Sequence, residues 1–587
     1  MSLLTELKQR QIWRVMLAYP GVVFVWLQVV EFFINNYDLD HRFLTASIIA
    51  AFMLLPAAVI WNWRHGREGR QRFTLAENGS YGLFGAAAIA AVGWYWNATP
   101  VEPIHISPEV DGTRSVVVMP FKNAGDDAEV QYLCDGIAES LTNWLATVPN
   151  VKVISKSAAF RLRDDADDTA KLVDVLGVDN IVRGKLTKHG DELVVSVALV
   201  DASDDSQLWG ERMVQPLAGI LKMERTIVTA IKGGLRLTVN EAAAAHLTTS
   251  GTDDPEAYRR YLRGHFLIQA TDPDSIDLGL EDLRAAISID PQFALPYADI
   301  SAAVVQKVLY GMSVDESLRG EARTAAFTAV ALAPDVAESH VALATIHQTI
   351  TFDWNAAEEA FETAISLSPR SPTPYNHYSE FLWGTLRFER SLEIARRGLE
   401  IDPLSGGLMH SIGIAFMYSG NFAEAANALG EWNRLYPGGQ WSYVKHALAL
   451  ALDGQCDKAA IPAAAAERML QGIGSPLIHS WLAWGYQVCD RDDLYAISKS
   501  RLAEFQEANP HSFDLGLIFY RILEGDVEGA INLTQMTIAA RSPSTGFAQI
   551  FLLDHLKWPV GSALQQDPRM RELIQDLDFP RTKWSVN

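Results

Sequence analysis

Leu367-Ser368-Pro369, Ile401-Asp402-Pro403 and Leu435-Tyr436-Pro437 close three apolar stretches at a constant spacing of 34 residues. Working outward, Leu332-Ala333-Pro334 lies 35 residues before the first of them, and Ile289-Asp290-Pro291 a further 43 before that. Downstream, Pro510 and Pro543 are 33 apart. Small residues keep fixed offsets inside the units: Ala357, Phe361 and Ala364 before Pro369, and Gly413, Gly420, Ala425 and Leu429 before Pro437. A Gly-to-Ala step of five recurs as Gly454/Ala459 and Gly525/Ala530. This period predicts a stack of two-helix hairpins, in which small residues let the first helix touch the second. Gly opens the turn between them, and Pro ends the second helix.

The pattern resembles the tetratricopeptide repeat (TPR) family over residues 255–543, about seven or eight units, with capping helices and a tail over 544–587. On the 34-residue register, the first-helix positions facing the concave surface are Asn376, Glu380 and Trp383, then His410, Met417 and Tyr418, then Trp441. Aromatic and polar groups together there suit an extended peptide or a partner helix. Cys456 opens the second helix of one unit and Cys489 ends the first helix of the next, side by side. Two buried thiols are the favoured expectation over a bridge, which needs Cα atoms within about 7 Å.

A chain of 587 residues exceeds one domain. Its hydrophobic residues, 49% of the whole, crowd into three runs within residues 1–98, and these predict transmembrane helices at about 13–33, 43–63 and 81–96. The third is short, but Tyr81 and Trp94-Tyr95-Trp96 bracket it as interfacial aromatics do. Arg64, Arg67, Arg70 and Arg72 in the second loop hold that loop and the N-terminus inside, leaving everything after residue 98 outside. The expectation is a multi-pass protein of the bacterial inner membrane with a periplasmic body. That body carries the acidic excess behind the net charge of −22, which disfavours nucleic acid. Three cysteines without a Cys-x-x-Cys give no zinc site.

Residues 99–112 read as a linker, and residues 113–236 as an α/β domain. Ser115–Phe121 is a buried strand, and Leu133, Ile137, Leu141, Leu145 and Val148 mark one face of a helix. A second strand and helix follow at 151–154 and 169–176. A hairpin turns at His189-Gly190-Asp191, a further strand spans 207–213, and a closing helix 217–235. With Met119-Pro120-Phe121, Asp135-Gly136-Ile137 and Leu208-Trp209-Gly210-Glu211, the order resembles the amino-terminal domain of the TolB family. It is closer to the version found between membrane spans and TPR arrays in bacteria. The TolB propeller has no counterpart, and TolB's partners are not carried over. A winged helix or an adenylate cyclase precedes the membrane region in related architectures. The dozen residues before the first apolar run leave no room for either. Residues 237–254 are a second linker.

No catalytic, cofactor or metal site is expected. Gly184-Lys185 lacks the P-loop glycine, and Gly472-Ile473-Gly474 lacks the third glycine of a dinucleotide fingerprint. His340 and His347 lack a ligand set. The run Asp164-Asp165-Ala166-Asp167-Asp168 lacks the glycine and distal Glu of a calcium loop and reads as a solvated approach to a helix cap. The fold class is thus three membrane helices, a small α/β domain and an all-α solenoid. The function is a scaffold for a protein or peptide partner. The alternative is a sensory subunit that signals to a cytoplasmic cyclase or regulator.

Overall fold

The computed structural model describes residues 114–235, 251–309, 316–470, 476–508 and 515–539, less a few single positions, with Ser47 and a short piece near 567–570. The chain divides into two compact units, and the second, Ile104–Asn587, contains a sheet domain and a helical solenoid.

The sheet is ordered β3-β1-β4-β5-β6. β1 (Arg114–Val118) runs parallel to both β3 (Val151–Val153) and β4 (Asn180–His189), and the short β2 (Lys122–Asn123) also pairs parallel with β4, further along it. A strand between two parallel neighbours is covered on both faces, which is why Val116, Val117 and Val118 are at most 1% exposed. The hairpin of β4 and β5 (Glu192–Asp201) pairs Asn180 with Asp201 through His189 with Glu192, and β6 (Gln207–Pro216) forms the outer edge. Helix α1 (Ala128–Thr147) lays the face carrying Leu133, Ile137, Leu141 and Leu145 on the sheet, all of them buried. Helices α2 (Lys156–Arg161) and α3 (Thr169–Leu176) follow, and α4 (Ile220–Gly234) closes the domain. Asp168 caps α3, accepting from the Lys171 amide at 3.0 Å, so the acidic run does serve a helix start.

Eight helix pairs come next. They are α5 (Pro255–Ile268) with α6 (Pro273–Ile289), α7 (Ala294–Leu309) with α8 (Glu316–Leu332), and α9 (Ala337–Ile346) with α10 (Trp354–Leu367). Then come α11 (Pro372–Gly384) with α12 (Phe388–Ile401), α13 (Gly406–Tyr418) with α14 (Phe422–Leu435), and α15 (Gln440–Leu452) with α16 (Cys456–Met469). The last are α17 (Pro476–Val488) with α18 (Asp492–Ala508) and α19 (Leu515–Leu523) with α20 (Val527–Ala539). The recurrent proline has a visible job. Its carbonyl accepts from a side chain six residues on, in the next first helix: Tyr297 to Pro291, His340 to Pro334, Tyr375 to Pro369 and Tyr443 to Pro437. Four of the units are pinned to the one before them at the same place.

The fold class requires one correction. Among the described residues no helix is long and apolar enough to cross a membrane, so a fold with three N-terminal transmembrane helices is not upheld. The predicted spans lie outside the described residues. What stands is a mostly helical protein of TPR-like pairs beside an α/β sheet. The cysteines give a second correction. Cys456 and Cys489 form a disulfide with Cα atoms 5.5 Å apart, because the start of α16 lies against the end of α17. Cys134 alone is a buried free thiol, pushed up to about 12 by burial.

The sheet domain is fastened to the solenoid at two places. Arg370 donates to the carbonyls of Val148 (3.2 Å) and Val151 (3.0 Å), beside an apolar contact of Leu404, Met409 and Leu435 with Ile154, Ala158 and Leu162. At the other, His265 of α5 lies between two carboxylates: Asp299 of α7 at 2.7 Å and Glu139 of α1 at 3.3 Å. Lys156 completes the group, 2.5 Å from Glu139. Burial alone would lower His265, but Asp299 and Glu139 outweigh it and raise it to about 10. Burial likewise opposes the charge on Glu139, yet His265 and Lys156 hold it at about 2.

Two predictions follow from this architecture. Gly454 reverses the chain at φ +79° with open space around its Cα. Gly454→Ala therefore costs only the left-handed strain, about 1–2 kcal/mol, read as a lowered urea midpoint at unchanged m-value. For the second, a histidine raised on folding contributes stability that is complete below 6.5 and lost as pH rises through about 10. The melting-temperature gap between wild type and His265→Gln should thus be widest near pH 6 and close toward pH 10. A gap that stays constant across that range would show that His265 is not held as a cation.

Candidate functional site

The first helices α11, α13, α15 and α17 stand side by side and bring one aromatic cluster together. Trp383 meets His410 edge-on at 6.2 Å and Tyr418 at 6.0 Å, and His410 lies 4.9 Å from Trp432. Lys445 donates to His410 Nε2, and its Nζ lies 5.6 Å from the Trp441 ring centre and 5.5 Å from that of Trp481. Sandwiched between two indoles, an ammonium group gains cation–π attraction, about 0.5–2 kcal/mol according to its desolvation.

The electrostatics follow from burial. Burial, and then the charge of Lys445, hold His410 well below its usual value, so it accepts from Lys445 as the neutral ring. Burial lowers Lys445 to about 8, against the pull of Glu380. Glu380 is raised by burial, with His377 and Lys445 opposing. The groove thus pairs one weakened cation with one weakened anion on neighbouring aromatic walls.

Of the seven positions placed on the concave face by the register, the structure gathers Glu380, Trp383, His410 and Trp441 around this cluster. Asn376 is half-buried on α11, one turn before Glu380, and its Oδ1 has no partner. Met417 is fully buried and Tyr418 is 1% exposed. Both belong to the core between repeats, and Tyr418 also packs on Phe388. The indole N–H of Trp383, the hydroxyl of Tyr418 and the indole N–H of Trp481 are buried and have no hydrogen-bond partner among the described residues. Two contributors escaped the sequence reading. Lys445 was legible, since it follows Trp441 by one helical turn on the same face. Trp481 was not, because α15 and α17 start 36 residues apart, at Gln440 and Pro476, so the 34-residue register slips by two there. No group of residues able to hold a metal occurs among the described residues.

Comparison with known proteins gives partial likenesses. Residues 112–229, the sheet domain, match the family profile of the HilA/YgeH-like transcriptional regulator, second domain. That is about a fifth of the chain, and the match is not to the TolB domain. The curated "Putative adenylate cyclase 3" of Rhizobium meliloti (strain 1021) is 26% identical over 214 residues, 35% of this chain. The chain spans only about a third (36%) of that relative's length. Among solved structures, a tetratricopeptide repeat protein from Parabacteroides merdae ATCC 43184 covers 51% of this chain and 98% of its own, at 12% identity and TM-score 0.29. YrrB, described as a TPR protein with an unusual peptide-binding site, covers 34% of this chain and 93% of its own, at 14% identity and TM-score 0.24. Pseudomonas aeruginosa PilF covers 39% and 99%, at 18% and 0.28.

Tyr418 separates core from groove experimentally. Tyr418→Ala empties a buried ring site and should destabilise by about 3–5 kcal/mol. Tyr418→Phe removes only a hydroxyl that nothing in the protein satisfies, so it should be neutral or slightly stabilising. Urea denaturation of the pair distinguishes them, and equal effects of the two would place the ring elsewhere.

Proposed function

We propose that this chain is an interaction protein whose solenoid binds a protein or peptide partner across α11, α13, α15 and α17. The observation that supports the reading is the aromatic wall of Trp383, Trp441 and Trp481 beside His410 and Lys445, with the buried indole N–H of Trp383 lacking a partner among the described residues. Large aromatic side chains in desolvated clusters carry most of the energy in protein recognition. Unsatisfied donors beside them supply hydrogen bonds to the carbonyls of an extended segment.

A second reading has its own support. The likeness to a putative adenylate cyclase favours a regulatory role, in which the sheet and solenoid sense a partner and act on a nucleotide cyclase or a regulator in trans. The Cys456–Cys489 bridge favours an oxidising location such as the periplasm for the solenoid. An enzyme activity of its own is not proposed.

The test is site-specific photo-crosslinking on the full chain. A crosslinker at Asn376 or Trp441 should capture one partner, and a crosslinker at the exposed Arg397 of α12 should not. Trp441→Ala should weaken capture about 30-fold, the equivalent of ~2 kcal/mol. Equal capture from Arg397, or capture indifferent to Trp441, would overturn the groove assignment. A nucleotide cyclase as the captured partner would favour the second reading.

A further inference from the structure

Behind the groove, α15, α16 and α17 enclose a second space. It is a cavity of about 250 Å³ with the Cys456–Cys489 disulfide in its wall. The cause is legible in the residues. Ala459 and Ala463 of α16 face Ala447 and Ala451 of α15 and Gly485 of α17, so five contact positions of a helix trio carry at most a methyl group. Val444, Leu448 and Leu482 complete an apolar lining, each at most 2% exposed. Ala460 and Arg491 line the cavity and are themselves exposed, which marks its mouth.

Its polar groups are few and mostly engaged. Tyr486 donates to Glu467 at 2.6 Å, and Arg491 pairs with Asp493 at 3.5 Å. Trp481 is the exception: it lines the cavity, is 2% exposed, and its indole N–H has no acceptor among the described residues. An unpaired buried donor is destabilising, and a bound acceptor would relieve that cost. An apolar cavity of this kind stays dry and takes apolar guests; about 150 Å³ suffices for benzene.

We infer that this cavity is a binding site for a small neutral aromatic molecule of about nine or ten heavy atoms bearing one hydrogen-bond acceptor for Trp481. The inference does not rest on the groove reading. The lining comes from within the helix layer and is mainly apolar, and its two charged residues are already engaged, Glu467 by Tyr486 and Arg491 by Asp493. The disulfide holds α16 against α17 on one side, so the guest enters past Ala460 and Arg491.

Acetophenone and cumene make a matched pair of probes, alike in shape but differing in the carbonyl. Titrated into the full chain and followed by saturation-transfer NMR and tryptophan fluorescence, acetophenone should bind saturably, three- to tenfold more tightly than cumene. Ala463→Leu fills the space and should abolish binding of both. Trp481→Phe keeps the space and should bring the two probes to equal affinity. That arm decides the matter even where the filled variant fails to fold. Absence of saturable binding by the wild type, or a preference for acetophenone that survives Trp481→Phe, overturns the assignment.

Discussion

Each hairpin of the solenoid from α9 onward reverses at one residue in the left-handed region. These residues are Phe352, Leu386, Gly420, Gly454, Asp490 and Gly525. Their spacing is that of the repeat itself. At five of these turns the amide just beyond the reversal bonds back to the carbonyl five residues earlier: Arg387 to Leu382, Asn421 to Phe416, Gln455 to Leu450, Arg491 to Tyr486 and Asp526 to Arg521. That geometry fixes where the second helix leaves the first, and the packing of small residues sets how near the two lie. Three of the six positions are glycine. At the other three a side chain occupies a conformation costing about 1–3 kcal/mol. Leu386 and Phe352 offset that cost by packing against the buried core. A turn with a fixed exit angle, repeated at a fixed interval, makes a superhelix with one concave side. The functional groups inherit their alignment from it.

The sheet domain is more than a neighbour of that superhelix. Through Glu139 it reaches His265 and Asp299 on two successive first helices, and so clamps the opening repeats together. Because the imidazolium answers two carboxylates, removing either acid leaves the other with a full partner. Removing the histidine leaves Asp299 and Glu139 facing one another, with only Lys156 against Glu139. This asymmetry makes His265 the pivot of the contact.

The period, the hairpins and the strand order were legible because each rests on local signals: proline and glycine placement, apolar spacing and β-branched runs. The periodic bond from a first-helix tyrosine or histidine to the preceding proline explains why the proline spacing was so informative. Membrane spans were read from apolar length alone, and no described helix shares that property. The disulfide escaped because sequence gives adjacency of two helices but not the approach of two Cα atoms to 5.5 Å. On the groove, the register distinguished helix faces but not depth. Trp383 and Tyr418 sit 35 residues apart, nearly one repeat, yet one joins the aromatic wall and the other lies in the core. Tyr418 ends α13, packs edge-on against Trp383 of α11 and Phe388 of α12, and is 1% exposed.

The groove also stands apart from the surface around it. The chain carries a net charge of −22, yet this site combines one buried lysine with one buried glutamate. Burial weakens both charges, raising Glu380 against the pull of His377 and Lys445 and lowering Lys445 against that of Glu380. Replacing either alone would leave its partner in a low-dielectric setting, at a cost larger than the pair's net worth. Long-range attraction from this site is therefore small, and a ligand gains little from charge until it has displaced water from the indoles. In the proposed reading, recognition would depend on fit against Trp383, Trp441 and Trp481 and on satisfying the N–H of Trp383. Such contacts set the lifetime of a complex more than the rate of its formation.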